Sequence, residues 1–189
     1  MPSVEERVDN LERVLAEYIR NVGNAQMQTE KELRDFKEEM REDRRGMNKK
    51  WGEIANKLGT VVEDIVAPNI PRIAQECFKC KDIDFFGTRI TKRNSKDKSK
   101  SREFDVLAVY DNMVIINETK SSPKIEYVNE FIEILKEIND YFPEYKGKKV
   151  IPIFSSLSIP ENVLSYLTSM KVYAMAMKDD TMEILNPYI

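Results

Sequence analysis

The sequence predicts a mixed α/β domain, a β-sheet flanked by helices, preceded by a long coiled-coil helix. Three observations carry this reading. An apolar heptad pattern occupies residues 1–50. Two β-branched, aromatic-rich runs, 104–110 and 114–120, are separated by the turn residues Asp111 and Asn112 and read as a β-hairpin. Beyond them, segments of helical and strand period alternate to the C terminus, and strand–helix–strand connections of that length favour parallel pairing. The expected organisation is an oligomerisation helix over 1–50 and a globular domain over 51–189.

In the first segment Val4, Val8, Leu11, Leu15, Tyr18 and Val22 recur at alternating spacings of four and three, which is a coiled-coil seam. The register weakens through Ala25 and Thr29, then resumes at Leu33, Phe36 and Met40 after a stutter. No proline interrupts residues 3–50, so a continuous helix of about 70 Å is expected. Its charges are nearly balanced, which fits a salt-bridged homo-oligomerisation helix and not a nucleic-acid arm. A helix folded back on the globular part is the alternative.

From Trp51 onward the pattern is globular. Ile54, Leu58, Val61, Val62 and Ile65 line a helix that must end before Pro68. Pro71 suits the first turn of a second helix reaching about Lys79. Residues 83–90 read as a strand. After the hairpin, Ile125, Val128, Phe131, Ile132, Leu135 and Ile138 mark one helix face. A buried strand over 150–154, a helix over 161–169 opened by Pro160, and strands over 171–177 and 182–185 complete the chain. Both hairpin strands are apolar on both faces, as in a sheet covered on both sides.

Composition removes several classes of chemistry. The chain has 189 residues, no histidine and two cysteines. Without histidine, Ser-His-Asp and Cys-His catalysis are excluded, as are nearly all conventional zinc enzymes. Cys77 and Cys80 form a single C-x-x-C with no second pair to complete a zinc site, and they read as two reduced thiols near a helix end. There is no apolar run long enough to span a membrane and no signal-peptide pattern, so a cytoplasmic protein without membrane association is expected.

The hairpin carries the chemistry. A two-residue turn at Asp111-Asn112 sets Tyr110 opposite Met113 and, counting back, Asp105 opposite Glu118. Lys120 then shares a face with Glu118. Two carboxylates facing each other across a ladder repel, and a divalent cation between them turns that cost into a binding site. The plain alternative is a sheet in which Lys120 and Arg102 neutralise these acids, or in which Glu103 pairs with its opposite number Lys120.

Phe104-Asp105, the apolar strand, and Glu118-Thr119-Lys120 resemble the signature of the PD-(D/E)XK nuclease superfamily, with Phe104 in the variable proline position. Upstream, Gly59-Thr60-Val61-Val62-Glu63 offers the acidic residue that many members carry on the first core helix. The stretch Leu58 to Pro68 behind a coiled coil also looks like a prokaryotic group within that superfamily. The resemblance implies a restriction-endonuclease-like fold and a Mg²⁺- or Mn²⁺-dependent nuclease. It implies Asp105, Glu118 and the Thr119 backbone carbonyl as metal ligands. Lys120 would orient or deprotonate water, or stabilise developing charge, and Glu63 would contact a metal water or help hold a second ion.

Charge distribution suggests where a nucleic acid, DNA most naturally, would lie. Residues 89–102 hold Arg89, Lys92, Arg93, Lys96, Lys98, Lys100 and Arg102 against the single acid Asp97, whereas the flanking segments are net acidic. Such clusters gain affinity for phosphates by counterion release. A flexible, solvated hairpin loop is the competing explanation. The function predicted is a metal-dependent nuclease, with a non-catalytic nuclease-like binding or assembly module as the alternative.

Overall fold

In a computed structural model, which describes residues 3–189, the heptad segment forms one helix, α1 (Val4–Val66), that runs through Trp51 without interruption. Ser3 and Glu6 open it as a reciprocal cap. The Glu6 N–H donates to Ser3 Oγ at 3.2 Å, and the Ser3 N–H donates to Glu6 Oε2 at 2.8 Å. The seam residues Val8, Leu11, Leu15, Tyr18 and Val22 are all exposed. The chain divides into two compact units, the second spanning Ala55–Ile189. The boundary thus falls slightly later than the change of pattern at residue 51.

In the second unit, Val62 and Val66 are the buried residues of α1. The helix ends in a 3₁₀ turn (Ala67–Asn69), as Pro68 requires, and α2 (Ile70–Phe78) follows with Pro71 in its first turn. Lys79 terminates α2 in the left-handed region (φ 60°), its N–H bonded to the Ala74 carbonyl. The six strands are β1 (Ile83–Arg93), β2 (Ser101–Tyr110), β3 (Met113–Thr119), β4 (Lys149–Ser155), β5 (Tyr173–Lys178) and β6 (Thr181–Ile184). They lie in sequence order across one sheet. The β3/β4 and β4/β5 pairs are parallel and the others antiparallel. The protein is therefore mixed α/β, as the element pattern predicts.

The crossovers β3–β4 and β4–β5 step in the same direction, so right-handed connections place their helices on the same face. These are α3 (Ile125–Lys136), α4 (Ile138–Tyr141) and α5 (Glu161–Ser169). Under them lies a core of Leu107, Val109, Val114, Ile116, Phe131, Phe154 and Leu167. The other face, with Val106, Ala108, Ile115, Ile151 and Ile153, is covered by the end of α1 and by α2. The single helix expected over 125–138 is broken at Glu137, which lets Ile138 and Tyr141 both face the first of these cores. Among the described residues no helix is long and apolar enough to cross a membrane.

Strict alternation predicts that Phe104 shares a face with Val106 and Ala108. Instead Phe104 packs on the opposite side, its ring 5.4 Å from Tyr141 and 4.8 Å from Phe142, both edge-on. The phase changes at Arg89, which faces Asp105 between the pairs Thr88/Val106 and Ile90/Phe104 and has φ 50°. A non-glycine residue in that region reorients the strand beyond it. Phe104→Ala is therefore expected to cost about 3–5 kcal/mol in denaturant unfolding; a loss below about 1 kcal/mol would show that the ribbon tip is not anchored there.

A candidate active site at a fork in the sheet

The predicted hairpin register is present. Leu107 faces Ile116 and Val106 faces Asn117, so continuing the count sets Asp105 against Glu118. The β2/β3 ladder stops at Val106/Asn117, however, while β3 stays paired with β4 through Thr119/Ser155. The sheet forks at Asp105. There the Asp105 carboxylate replaces a main-chain acceptor, receiving the Thr119 N–H at 2.6 Å. The Lys120 N–H continues on the other side, donating to the Ser155 carbonyl at 3.0 Å.

The fork gathers charge in a poorly solvated place. Glu118 is buried, and its Oε1 lies 2.6 Å from Lys120 Nζ and 4.0 Å from Arg102. Lys120 also rests over the Tyr127 ring of α3, 5.9 Å from its centroid. Burial pushes the Asp105 carboxyl up to about 7; Glu118, and more weakly Glu63, push it the same way, against the Thr119 N–H and Lys120. Burial alone would lower the Lys120 ammonium, but the charge and hydrogen bond of Glu118, with Asp105 behind it, leave it above its ordinary value. Lys120 is thus held as a cation, which suits charge stabilisation and not proton abstraction.

Glu63 comes from α1, on the other face of the sheet. Its Oε2 accepts from Arg89 Nε at 2.9 Å, and Arg89 also reaches Asp64 Oδ1 at 2.7 Å. The left-handed backbone at Arg89 coincides with this turn of its side chain towards α1. Arg89 therefore buttresses the acidic residues of the helix instead of standing in an open basic patch.

Only residues 94–100 of the basic segment form a loop between strands. Arg89, Lys92 and Arg93 lie on β1, and Arg102 lies on β2. The turn between them is built around buried Asn94, whose Oδ1 accepts the N–H groups of Lys96 and Asp97 at 2.9 and 3.0 Å. Several of its cations meet acids of the α3–α4 side: Lys92–Glu144 at 2.5 Å, Lys96–Asp140 at 2.8 Å and Lys100–Glu137 at 3.4 Å. Among the described residues neither Lys98 nor Arg93 has an ion-pair partner within 4.0 Å. Sequence periodicity could not reveal these pairs, because their partners lie some forty residues away. The expected competitor Glu103–Lys120 is also not among the described ion pairs; Lys120, just past the end of β3, pairs with Glu118.

One polar group escaped the sequence reading. On the α1 face, buried Asn117 donates from Nδ2 to Thr119 Oγ1 at 2.8 Å and accepts from Ser155 Oγ through Oδ1. This chain locks the end of β3 to β4 at the fork and so fixes Thr119. The available signal was an asparagine inside an otherwise apolar strand, since buried amides need partners.

Among the described residues no group of three or more histidine, cysteine, aspartate or glutamate side chains is gathered for a metal. The fork offers instead two carboxylates, Asp105 and Glu118, the first raised by burial and then by the second. Oxygen donors in that situation fit a hard divalent cation that keeps several waters, as Mg²⁺ does.

Fold and site together define an α/β domain with a carboxylate–lysine cluster at the end of a β-hairpin. A family model described as Domain of unknown function (DUF8196) matches residues 85–184, and the chain belongs to that family. The match contains Asp105, Glu118 and Lys120 but not Glu63. No curated protein matches the chain.

The Asp105 shift has a stability consequence. Its carboxyl titrates near 3.8 when unfolded and at about 7 when folded, so between these values the folded state holds more protons and stability falls as pH rises. In chelator-treated protein, the melting temperature should drop from pH 4.5 to pH 7.5. Asp105→Asn should flatten that drop; an identical slope in the variant would move the titration elsewhere.

Proposed function

We propose that the chain is a metal-dependent nuclease that hydrolyses phosphodiester bonds, with DNA as its substrate. The observation that carries this reading is the convergence of Asp105, Glu118 and Lys120 at the point where β2 and β3 part. Asp105 and Glu118, with the Thr119 backbone carbonyl, would hold Mg²⁺ or Mn²⁺. When bound, such an ion neutralises charge on non-bridging phosphate oxygens and acidifies a water. Lys120 keeps a fixed positive charge beside the carboxylates, where negative charge develops on the phosphate. Asn117 and Ser155 tie the end of β3 to β4, and Arg89 ties β1 to Glu63 and Asp64 of α1.

Phosphate contact by the basic ribbon requires some of its cations to exchange their acidic partners for the nucleic acid. Lys98 and Arg93 are the residues available without such exchange, and the remaining pairs are surface contacts of modest strength. The exposed seam of α1 is read as a homo-oligomerisation surface, and the chain as a cytoplasmic protein.

A second reading rests on the same ion pairs. Glu118 is already matched by Lys120, and much of the basic ribbon by α3–α4, as in a non-catalytic nuclease-like module that assembles through α1. Incubating supercoiled, linear and branched DNA with Mg²⁺ or Mn²⁺, beside an EDTA control, separates the two. Nuclease function predicts metal-dependent cutting that falls by about 100-fold or more in Lys120→Ala, with the circular dichroism spectrum retained. Cutting that is unaffected by this substitution would remove Lys120 from the site, and no cutting by folded wild-type protein would favour the binding module. For the seam, Leu11→Asp with Tyr18→Asp should lower the mass measured by light scattering; an unchanged mass would refute oligomerisation through α1.

A further inference from the structure

Each arm of the fork supplies one cation to the same oxygen of Glu118. Lys120, just past the end of β3, has its Nζ 2.6 Å from Glu118 Oε1. Arg102 stands on β2, beyond the point at which the ladder to β3 stops, and approaches that oxygen to 4.0 Å. The lysine contact is a hydrogen bond, whereas the arginine contact is too long to be one. Lys120 is therefore seated on Glu118, and Arg102 is held near it by charge alone.

Other arginines of the second unit are used differently. Arg72 donates to Glu76 and to the Met182 carbonyl, and Arg89 donates to Glu63 and Asp64. Those guanidinium groups are spent on holding elements together. The Arg102 side chain is 34% exposed, and its contact with Glu118 spends none of its donors. Its direction also matters. Arg102 lines a groove of 330 Å³ whose far wall carries Glu130 and Glu133 of α3 and Glu137 at its end. Among the described residues its ion-pair partner is none of these three acids but Glu118. The acidic wall disfavours a phosphate within the groove. A phosphate bound by Arg102 therefore lies on the side of the fork, with Lys120 across from it.

We propose that Arg102 is the residue that takes a backbone phosphate of the nucleic acid at the fork, its guanidinium exchanging Glu118 for two non-bridging oxygens. A planar pair of donors matches two such oxygens, which a lysine cannot do. Glu118 is then a placeholder that keeps Arg102 and Lys120 in position until the phosphate arrives. Any change that withdraws the Glu118 charge, a divalent cation on the two carboxylates included, frees Arg102 for the phosphate. Lys98, in the turn at the ribbon tip, adds charge without this placement. The part Arg102 plays in cleavage rests on the nuclease reading; its phosphate contact does not.

Binding is read first, by fluorescence anisotropy of a labelled DNA duplex with the full chain in EDTA. Glu118→Gln, which removes the competing charge, should tighten binding by about tenfold, the scale of one charge-assisted contact. That gain should be largely lost in an Arg102→Ala background. It should persist in a Lys98→Ala background, which changes the net charge equally. No gain in Glu118→Gln, or a gain that survives Arg102→Ala, would overturn the proposal. Cutting is read second, on the DNA form that the wild type cleaves with Mg²⁺. At saturating DNA, Arg102→Ala should lower kcat by about 100-fold or more with its melting temperature kept, and Arg102→Lys should recover part of the loss. Lys98→Ala should raise KM alone. An unchanged kcat in Arg102→Ala would also overturn the proposal. A wild type that cuts nothing, with the binding results as expected, would end the nuclease reading and leave the phosphate site standing.

Discussion

The hydrogen bond from the Thr119 N–H to the Asp105 carboxylate is the interaction around which the sheet is arranged. By ending the β2/β3 ladder with a side chain, it lets β2 leave β3 without stranding a main-chain donor, a cost that would otherwise fall on a partly buried group. The departing ribbon can then tip towards α4, where Phe104 finds Tyr141 and Phe142. At the base of the fork Glu118 and Lys120 pair at 2.6 Å on the α3 side. One short contact thus links the covalent order of the hairpin, the packing of the ribbon and the collection of charge at its base.

Energetically the fork is an arrangement of opposed terms. Burial and the proximity of Glu118 disfavour an ionised Asp105, while the Thr119 N–H and Lys120 favour it. The protein tolerates this because the surroundings are stiff. Asn117 bridges Thr119 and Ser155, β4 backs β3 to its last residue, and Arg89 fastens the opposing strand to α1. Groups whose ionisation is perturbed by both desolvation and a specific charged neighbour are common at functional sites. The same geometry that carries the nuclease proposal explains why Lys120 acts as a cation in it.

The charge that looks like a nucleic-acid patch along the chain is organised differently in space. The basic β1–β2 ribbon lies near the acidic residues of α3, α4 and the turn that follows, and the ordered Asn94 turn holds its tip in shape. Much of the +6 charge of residues 89–102 is therefore engaged within the fold. Any phosphate it binds must compete with Glu137, Asp140 and Glu144, so affinity depends on exchange of partners and not on free charge alone.

Local pattern determined a large part of this protein: the long helix, the strand and helix order, and the hairpin register that opposes Asp105 to Glu118 all follow from apolar period and from one two-residue turn. These are short-range properties, set by residues within a few positions of one another. Tertiary structure decided the rest. The fork, the displacement of Phe104 to the other face, the capture of Glu63 by Arg89 and the pairing of Lys92 with Glu144 each join residues far apart in sequence. Periodicity carries no information about such partners. The strained backbone at Arg89 is the clearest case, because nothing local to an arginine asks for φ 50°; only the helix packed beside it does.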